Sequence, residues 1–368
     1  MSGMQIKYTM LERLGGGGQA EVYRGLAESL EGFKRVVAIK RVLPNLTTNP
    51  RFVAMFLDEA RLSLFLQHAN IVQVFDISKA ADDTYFLAME FVDGCDLKAL
   101  IDHEIRNGRS ANLALVLYIV IECCKGLHYA HFAEHPESRA PLHIVHRDVS
   151  PPNVMLSKNG EVKVVDFGLA KANSQLEITD EGVVKGKFSY LAPETALGLT
   201  VDSRADVFAL GILLWEMLTE RRLFVGDTPR ETVELIQRAR IPSVTAINPN
   251  IDAELESIVR KALARERDDR YETAADLGEA LTTYLFSHGL KATARDVALA
   301  VRAVQAERAR RASPGAALTD ALIKDELEKL TQVVAEEIAA SPATLPGLAN
   351  NEGMVNTKDW MTDLLGDD

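Results

Sequence analysis

The stretch HIVHRDVSPPN (143–153), followed closely by DFG (166–168), constrains this chain more than any other part of its sequence. It brings Asp148, Asn153 and Asp166 into one short span. Carboxylate and amide oxygens are the ligands that hard magnesium ions prefer, and a carboxylate can also accept the proton of a hydroxyl nucleophile. Each residue alone is explained equally well as a turn or cap residue, but their joint spacing predicts a site that handles phosphates.

A glycine-rich loop near the start of the chain predicts a cover for a nucleotide. In LGGGGQAEV, Gly15 and Gly17 occupy the first two positions of a GxGxxGxV pattern, and Ala20 fills the third. The pattern alone is weak, since a flexible turn would also explain the glycines. However, the loop joins two predicted strands, so it can lie over phosphates as a flap whose backbone N–H groups approach the oxygens.

A lysine at the end of an apolar strand is a second candidate for phosphate binding. Lys40 follows Val37, Ala38 and Ile39, and we expect its side chain to point into a cleft. A buried ammonium group needs a partner. Glu59, in the helix predicted to follow, is the preferred partner because Phe56 and Leu62 place it near the inward face of that helix. Asp58, about 100° away around the helix, is the alternative.

Hydrophobic periodicity predicts a small strand-rich part and then a larger helical part. The predicted strands cover 8–14, 20–26, 35–42, 72–78 and 84–91, with one helix at 50–67. The predicted helices of the second part cover 113–132, 206–219, 228–240 and 252–264. This order favours an α+β fold of two lobes, with the smaller lobe at 8–92 and the larger at 93–287.

The chain changes character after these two parts. A helix is predicted at 292–311, where Thr293 and Asp296 are spaced as a capping box, and a second at 319–340. We assign 288–340 to a helical extension and 341–368 to a flexible acidic tail. The final KDWMTDLLGDD is either a frayed tail or a short helix that docks on a partner.

Charge and cysteine content limit the possible partners and compartment. A net charge of −12 argues against a general nucleic-acid binder, because phosphate backbones are held by basic surfaces. Cys95, Cys123 and Cys124 lack metal-ligand spacing, which favours reduced thiols in the cytoplasm. MSGMQIKYTM has no apolar core of a signal peptide, and the apolar run 113–121 is much shorter than the roughly 20 residues of a membrane span. We therefore expect no membrane anchor.

Over residues 8 to about 287, the sequence resembles a eukaryotic-like (Hanks-type) serine/threonine protein kinase of bacteria. The stretches that carry the resemblance are GGGGQAEV, VAIK, Glu59 ahead of HANIV, HRDVSPPN, DFG and APE (192–194). The resemblance implies a bilobal protein kinase fold, with a small β-rich lobe and a larger α-helical lobe, and it implies ATP and Mg²⁺ as cofactors.

The resemblance also implies a role for each residue of the motifs. Asp148 is the expected catalytic base, and Asn153 and Asp166 are the expected Mg²⁺ ligands. Lys40 is expected to contact the α- and β-phosphates and to pair with Glu59. In MEFVDGCD, which resembles the hinge, Met89 is the expected gatekeeper. The residues expected to bind the nucleotide are Leu14, Gly15, Gly17, Val22, Ala38, Lys40, Met89, Glu90, Val92 and Asp96, with backbone groups of Glu90 and Val92 at adenine and Asp96 near the ribose.

Three further residues resemble scaffold positions of this family. Glu194 of APE and Arg270 of DDRY are expected to form a buried ion pair, and Asp206 is expected to brace the backbone of the catalytic loop.

Arg147 is expected to meet a phosphate on the activation segment, 166–194. Thr179 is the expected autophosphorylation site and Ser174 the alternative.

Besides Ala20 in the glycine-rich loop, the sequence departs from the family pattern at three places. HPESRAPL (135–142) implies an extra surface loop. Ser150 stands where this class normally has lysine, and Lys187 stands where it normally has threonine. Because a positive charge is needed near the transferred phosphoryl group, we expect Lys187 to supply it in a catalytic role. The alternative is that Lys187 faces solvent and Ser150 caps a turn.

These features together favour a serine/threonine kinase that transfers the γ-phosphoryl group of MgATP to protein hydroxyls, including its own, in intracellular signalling. The main alternative is a pseudokinase-like scaffold that binds nucleotide and partner proteins. A small-molecule kinase would not be expected to carry APE, Asp206 and Arg270. A tyrosine-directed enzyme is less favoured, because Pro151 follows Ser150 as in the serine/threonine pattern.

Overall fold

The structure is a computed structural model of the chain, and it describes residues 6–18, 20–29, 32–80, 82–108, 112–167 and 188–311, with only the backbone of Glu59. The predicted helix at 319–340 and the acidic tail therefore lie outside the described residues.

The smaller lobe is a five-stranded antiparallel sheet in the order β1-β2-β3-β5-β4. The strands are β1 Lys7–Gly16, β2 Ala20–Glu28, β3 Lys34–Val42, β4 Val74–Lys79 and β5 Tyr85–Glu90. Two helices, α1 Pro44–Thr47 and α2 Pro50–Leu64, lie between β3 and β4. Helix α2 begins where Pro50 follows Asn49, whose side chain accepts hydrogen bonds from the N–H groups of Arg51 and Phe52.

The larger lobe combines a small sheet with a set of helices. Its strands are β6 Gly94–Asp96, β7 Val154–Ser157 and β8 Val162–Val164. Its helices are α3 Leu97–Arg106, α4 Leu113–His131, α5 Pro193–Ala196, α6 Arg204–Thr219, α7 Pro229–Arg238, α8 Val244–Ile247, α9 Ala253–Ala262, α10 Ala274–Ser287 and α11 Ala294–Arg311. The predicted α+β architecture of two lobes is thereby confirmed.

Helices α4 and α6 form the centre of the larger lobe. All of 205–219 in α6 is buried, and α4 packs against α6 and α10. Among the described residues, α4 alone is long and apolar enough to cross a membrane, with 19 residues and a mean hydropathy of 1.5. The sequence analysis counted only the run 113–121, whereas the helix continues to His131. Most of α4 is buried inside the lobe, as expected for a core helix.

Helix α11 packs on the larger lobe and shares its core. Val297, Val301 and Val304 are at most 1% exposed and belong to the same apolar cluster as α4 and α6. The Asp296 carboxylate accepts hydrogen bonds from the N–H and the hydroxyl of Thr293, at 2.8 Å each, so the predicted capping pair begins this helix. The boundary assigned at residue 287 stays a prediction, but α11 is built into the core beyond it.

Contacts with the larger lobe hold both ends of α11 in place. Near its C-terminal end, Glu307 contacts His103, Arg106 and Asn107 on α3. At its start, the carbonyl of Ala294 lies against Gly160 in the β7–β8 turn. Gly160 has a φ of +95°, and a Cβ there would collide with that carbonyl, so both the backbone conformation and the close approach require glycine.

The additional loop predicted between His131 and His146 is present at the surface. Glu134 and Pro141 form an isolated antiparallel bridge, and Leu142 donates its N–H to the carbonyl of Ala133 at 2.9 Å. The loop therefore leaves and rejoins the core at one place.

Candidate active site

A cavity of about 570 Å³ lies between the two sheets, under the glycine-rich loop. All the residues expected to bind the nucleotide line it, namely Leu14, Gly15, Gly17, Val22, Ala38, Lys40, Met89, Glu90, Val92 and Asp96. The sequence analysis missed other lining residues, which include Val42, Phe52, Phe56, Val72, Met155 and Val165. Most of these are apolar residues that sequence periodicity assigns simply to the core.

Lys40 lies inside this cavity, and its ammonium group contacts the carboxylate of Asp166. The distance from Nζ to Oδ2 is 2.7 Å, and the two side chains are 14% and 27% exposed. Lys40 therefore points into the cleft, as expected. The expected partner, Glu59, lies on α2, but its side chain is outside the described part of the chain. The alternative, Asp58, is 72% exposed and pairs with Arg61 at 3.1 Å.

Asp148 and Asn153 are held together by the turn that contains the proline pair. The Asn153 side-chain amide donates hydrogen bonds to the Asp148 backbone carbonyl at 2.8 Å and to its Oδ2 at 3.0 Å. Val165 donates its N–H to the carbonyl of Asn153 at 3.0 Å. This bond ties the loop to the residue that precedes Asp166, so Asn153 and its partner Asp148 are held next to the strand that leads into Asp166.

A buried carboxylate supports the backbone immediately before Asp148. Asp206 accepts hydrogen bonds at 2.8 Å from the N–H groups of His146 and Arg147 and from Nε2 of His131. Arg147 has a φ of +67°, in the left-handed region that costs energy for a residue with a side chain. The bracing role expected of Asp206 is therefore seen directly.

Burial would raise the pKa of Asp206, but the hydrogen bond and charge of His131, with the N–H groups of the loop, lower it below its ordinary value. The carboxylate is consequently ionised in the folded protein at neutral pH. An ionised acceptor makes stronger hydrogen bonds to backbone N–H groups than a neutral one. Asp206 thus stabilises a turn that the backbone alone would not favour.

On the hinge side of the cavity, the structure shows what the polar groups of Glu90 and Asp96, expected near adenine and ribose, contact in the chain itself. Glu90 donates its own N–H to the carbonyl of Gln73 at 2.8 Å, and its carboxylate pairs with Lys163 of β8 at 3.0 Å. The sequence analysis missed the Glu90–Lys163 pair, since no motif links these positions. Asp96 caps α3 by accepting from Ala99 N–H at 2.7 Å, and burial raises the pKa of its carboxyl group.

The predicted ion pair between Glu194 and Arg270 is present and buried. Two guanidinium nitrogens lie 2.7 and 2.8 Å from the two carboxylate oxygens. Arg270 also donates to the carbonyls of Ala264, Arg204 and Arg265. The pair therefore links helix α5 to the start of α6 and to the segment that follows α9.

Several predicted residues of the activation segment cannot be located, because residues 168–187 lie outside the described chain. These are Gly168, Ser174, Thr179 and Lys187. The Ser150 hydroxyl lies 3.5 Å from the carbonyl of Asp148 and does not cap the following 3₁₀ turn. The capping role offered as the alternative for Ser150 is thus not seen, and the expectation for Lys187 stays a prediction.

The oxygen donors at this site fit a magnesium ion that completes its coordination with phosphates and water. Among the described residues, no group of three or more His, Cys, Asp and Glu could hold a metal by itself. Asp166 and Asn153 line one end of the cavity and offer one carboxylate and one amide oxygen. Mg²⁺ is commonly held by one or two such ligands together with substrate phosphates.

Comparison with known proteins agrees with this geometry. Residues 8–281 match the family model of the protein kinase domain. Tyrosine-protein kinase MasK of Myxococcus xanthus is 42% identical over 76% of this chain and 43% of its own length. Serine/threonine-protein kinase PrkC of Bacillus subtilis is 36% identical over 74% of this chain and 39% of its own length. The PknI kinase domain of Mycobacterium tuberculosis has a TM-score of 0.56 and 26% identity, over 77% of this chain and 98% of that domain.

The chain belongs to the protein kinase domain family, in its eukaryotic-like bacterial group. The resemblance drawn from the motifs is thereby confirmed, as is the bilobal fold. The chain spans less than half the length of MasK and PrkC.

Proposed function

We propose that this protein is a protein kinase that transfers the γ-phosphoryl group of ATP to serine or threonine hydroxyls of proteins. The observation that carries the proposal is that Lys40, Asn153 and Asp166 line one cavity, while Asp148 is hydrogen-bonded to Asn153 beside it. Serine/threonine kinases among the relatives, such as PrkC, support the hydroxyl class.

In this proposal Asp148 accepts the proton of the substrate hydroxyl as its oxygen attacks the γ-phosphorus. The bond between that phosphorus and the β–γ bridging oxygen breaks, and ADP leaves. Asn153 holds the Asp148 carboxylate in place through its 3.0 Å hydrogen bond. Lys40 exchanges its contact with Asp166 for the phosphates. Mg²⁺, held by Asp166 and Asn153, would offset the negative charge of the phosphates.

The positive charge near the transferred group is assigned to Lys187 in this proposal, since Ser150 cannot supply it. Losing such a contact costs about 2.7–4 kcal/mol of transition-state stabilisation in comparable sites. Activation is assigned to autophosphorylation at Thr179, or at Ser174, with Arg147 as the phosphate partner. The C-terminal extension is proposed to dock partner proteins. The reduced, buried cysteines support a cytoplasmic signalling role.

A tyrosine hydroxyl is the second candidate acceptor. MasK, at 42% identity, is named a tyrosine-protein kinase. Lys187 also replaces the threonine that commonly marks serine/threonine specificity in this class. In contrast, no feature of the described residues favours the pseudokinase alternative, because the expected catalytic side chains that are described are all present in the cavity or beside it.

Mass spectrometry of the purified chain after incubation with MgATP and a generic protein substrate tests the proposal. We expect phosphate on serine or threonine, with Thr179 or Ser174 occupied on the chain itself. The control is Asp148→Asn, which should keep ATP binding and lose turnover by about 10²–10⁴-fold. Phosphotyrosine alone would favour the second candidate. Unchanged turnover in Asp148→Asn would show that the catalytic assignment is wrong.

A further inference from the structure

A second cavity, of about 670 Å³, lies on the larger lobe beside helices α5 and α7. Its lining consists of Leu197, Glu234, Gln237, Arg238, Arg240 and Arg265. We call these six residues the basic recess. Leu197 comes directly after α5. Arg238 ends α7, Arg240 follows that helix, and Arg265 lies in the segment after α9.

The basic recess has an excess of positive charge that its own acidic residue does not neutralise. Glu234 is shared between Arg230 at 3.2 Å and Arg238 at 3.8 Å, and Arg265 lies only loosely against Glu266 at 3.8 Å. Within the described part of the chain, Arg240 has no ion pair or side-chain hydrogen bond. In a chain of net charge −12, such a cluster runs against the overall charge.

The walls of the recess are fixed by hydrogen bonds to the backbone. Gln237 donates its side-chain amide to the carbonyl of Ala196 at 2.9 Å, and Arg265 Nε donates to the carbonyl of Gln237 at 3.0 Å. These bonds connect α5, α7 and the segment after α9. Ala239 ends α7 in a left-handed conformation with a φ of +46°, which turns the chain at Arg240 away from the helix direction. The arginines are therefore presented on a preformed surface.

The recess lies beside α5, at the end of the activation segment, 166–194, that carries the proposed phosphorylation sites. Leu197 is 47% exposed and follows Glu194, which the buried pair with Arg270 holds in place. An exposed leucine side chain beside arginines can bind a polypeptide that carries both an apolar residue, which contacts the leucine, and carboxylates, which contact the arginines. Guanidinium groups bind carboxylates with paired hydrogen bonds, which gives direction as well as charge attraction.

We propose that the basic recess binds an acidic, leucine-containing segment of the protein substrate, at a distance along the substrate chain from the hydroxyl that is phosphorylated. The partner chemistry follows from the arginine cluster, and the apolar part follows from Leu197. This inference rests on the proposed kinase function, since it assigns a docking site to the substrate of that reaction.

A binding measurement without nucleotide tests the recess independently of catalysis. The probe is a fluorescein-labelled peptide of Asp, Glu and Leu that lacks Ser, Thr and Tyr, and the readout is anisotropy with the full chain. The variant Arg238→Ser/Arg240→Ser/Arg265→Ser should bind it at least about tenfold more weakly. The control Arg221→Ser/Arg295→Ser/Arg302→Ser removes the same charge from exposed arginines outside the recess and should bind as the unmodified chain does.

Equal affinity of the two triple variants would overturn the proposal, because the binding would then follow net charge alone. Since Arg265 also bonds to the backbone of α7, the double variant Arg238→Ser/Arg240→Ser keeps it and should show a smaller loss in the same direction. Leu197→Ser should weaken the leucine-containing peptide but leave a peptide of Asp and Glu alone unaffected. An unchanged affinity in the double variant would also count against the recess.

Steady-state kinetics separates the failure of this inference from that of the proposed function. With dephosphorylated casein, an acidic protein, the recess variant should raise KM by about tenfold and leave kcat unchanged. A short basic peptide substrate should show no change. If the recess variant transfers phosphate with an unaltered KM for casein, the docking proposal is wrong and the kinase proposal stands. If the chain binds the acidic peptide but transfers no phosphate, the kinase proposal is wrong and the recess remains an acidic-peptide site.

Discussion

Asp206 is a buried residue outside the cavity that holds the backbone in front of the proposed catalytic base, Asp148. Its two oxygens accept from two consecutive N–H groups and from His131, and no part of its side chain reaches the cavity. The strained turn at Arg147 sets the direction in which Asp148 leaves the backbone. The position of the proposed base is therefore decided by a carboxylate far along the sequence.

We predict that Asp206→Asn destabilises the protein by about 1–3 kcal/mol. The carboxylate offers two acceptor oxygens to its three donors, whereas the amide would offer only one. Phosphoryl transfer should fall as well, since the turn before Asp148 loosens. The pKa of Asp206 is lowered in the folded protein, so its contribution is complete above the ordinary value of 3.8 and is lost as pH falls below it.

Urea unfolding at a series of pH values checks this. The difference in unfolding free energy between the unmodified chain and Asp206→Asn should be largest near neutral pH and should shrink below about pH 4. A difference that does not change with pH would mean that Asp206 is not ionised in the folded state.

At the residue scale, the sequence predicted well wherever a motif fixes local chemistry. The residues expected at the nucleotide line the cavity because the glycine-rich loop, the β3 strand and the hinge each carry a distinct pattern. In contrast, the contact between Lys40 and Asp166 depends on how closely the two sheets approach across the cleft. The Glu90–Lys163 pair and the cavity-facing Phe52 and Phe56 likewise depend on three-dimensional packing.

At the scale of elements, helix α5 is held by one buried ion pair. The guanidinium of Arg270 has no exposed side-chain surface, and it uses both of its terminal nitrogens on Glu194. Breaking a buried pair by removing one partner leaves an uncompensated charge. The stability of the region between α5 and the segment after α9 therefore depends on both partners being present.

We predict that Arg270→Leu destabilises the protein by about 3–5 kcal/mol, because Glu194 remains buried and charged without its partner. The double variant Glu194→Gln/Arg270→Leu should recover part of that loss, since no charge is left unpaired. Denaturant unfolding of both single variants and the double variant measures the coupling. Losses that simply add would show that the two side chains act independently.

Several elements that the sequence analysis missed are too short to show a period. Strands β6 and β8 contain 3 residues each, too few for alternation to show. Helices α3 and α10 were also not predicted, although each begins at a capping residue, Asp96 and Thr273. Predicted ends of the longer elements differ from the structure by a few residues: α2 begins at Pro50, as predicted, but ends at Leu64 rather than at Gln67.

At the scale of the whole molecule, α11 extends the core of the larger lobe beyond the 8–281 match to the kinase family model. Its three buried valines join the cluster around α4 and α6, and Glu307 connects it to α3. Helix α3 begins at Asp96, which lines the nucleotide cavity. Helix α11 is therefore a structural part of the lobe that forms the active site.

We predict that ending the chain before residue 292 lowers the free energy of unfolding by several kcal/mol, since a fully buried valine is worth about 1.5–3 kcal/mol. Ending the chain after residue 311 keeps α11 and should leave the protein more stable than ending it before residue 292. Calorimetry of the two shortened chains beside the full chain makes the comparison. Equal melting temperatures of the two would show that α11 adds nothing to the core.

The buried cysteines give this molecule built-in reporters of its own local opening. Burial raises the pKa of Cys95 to about 11 and that of Cys123 to about 12, and it raises that of Cys124 as well, so few thiolates exist at neutral pH. A thiol-modifying reagent can reach these sulfurs only when the surrounding structure opens. Because Cys95 lies on β6 and the other two lie in α4, their separate labelling rates would compare the opening of the small sheet with that of the central helix, in a chain that needs no substitution.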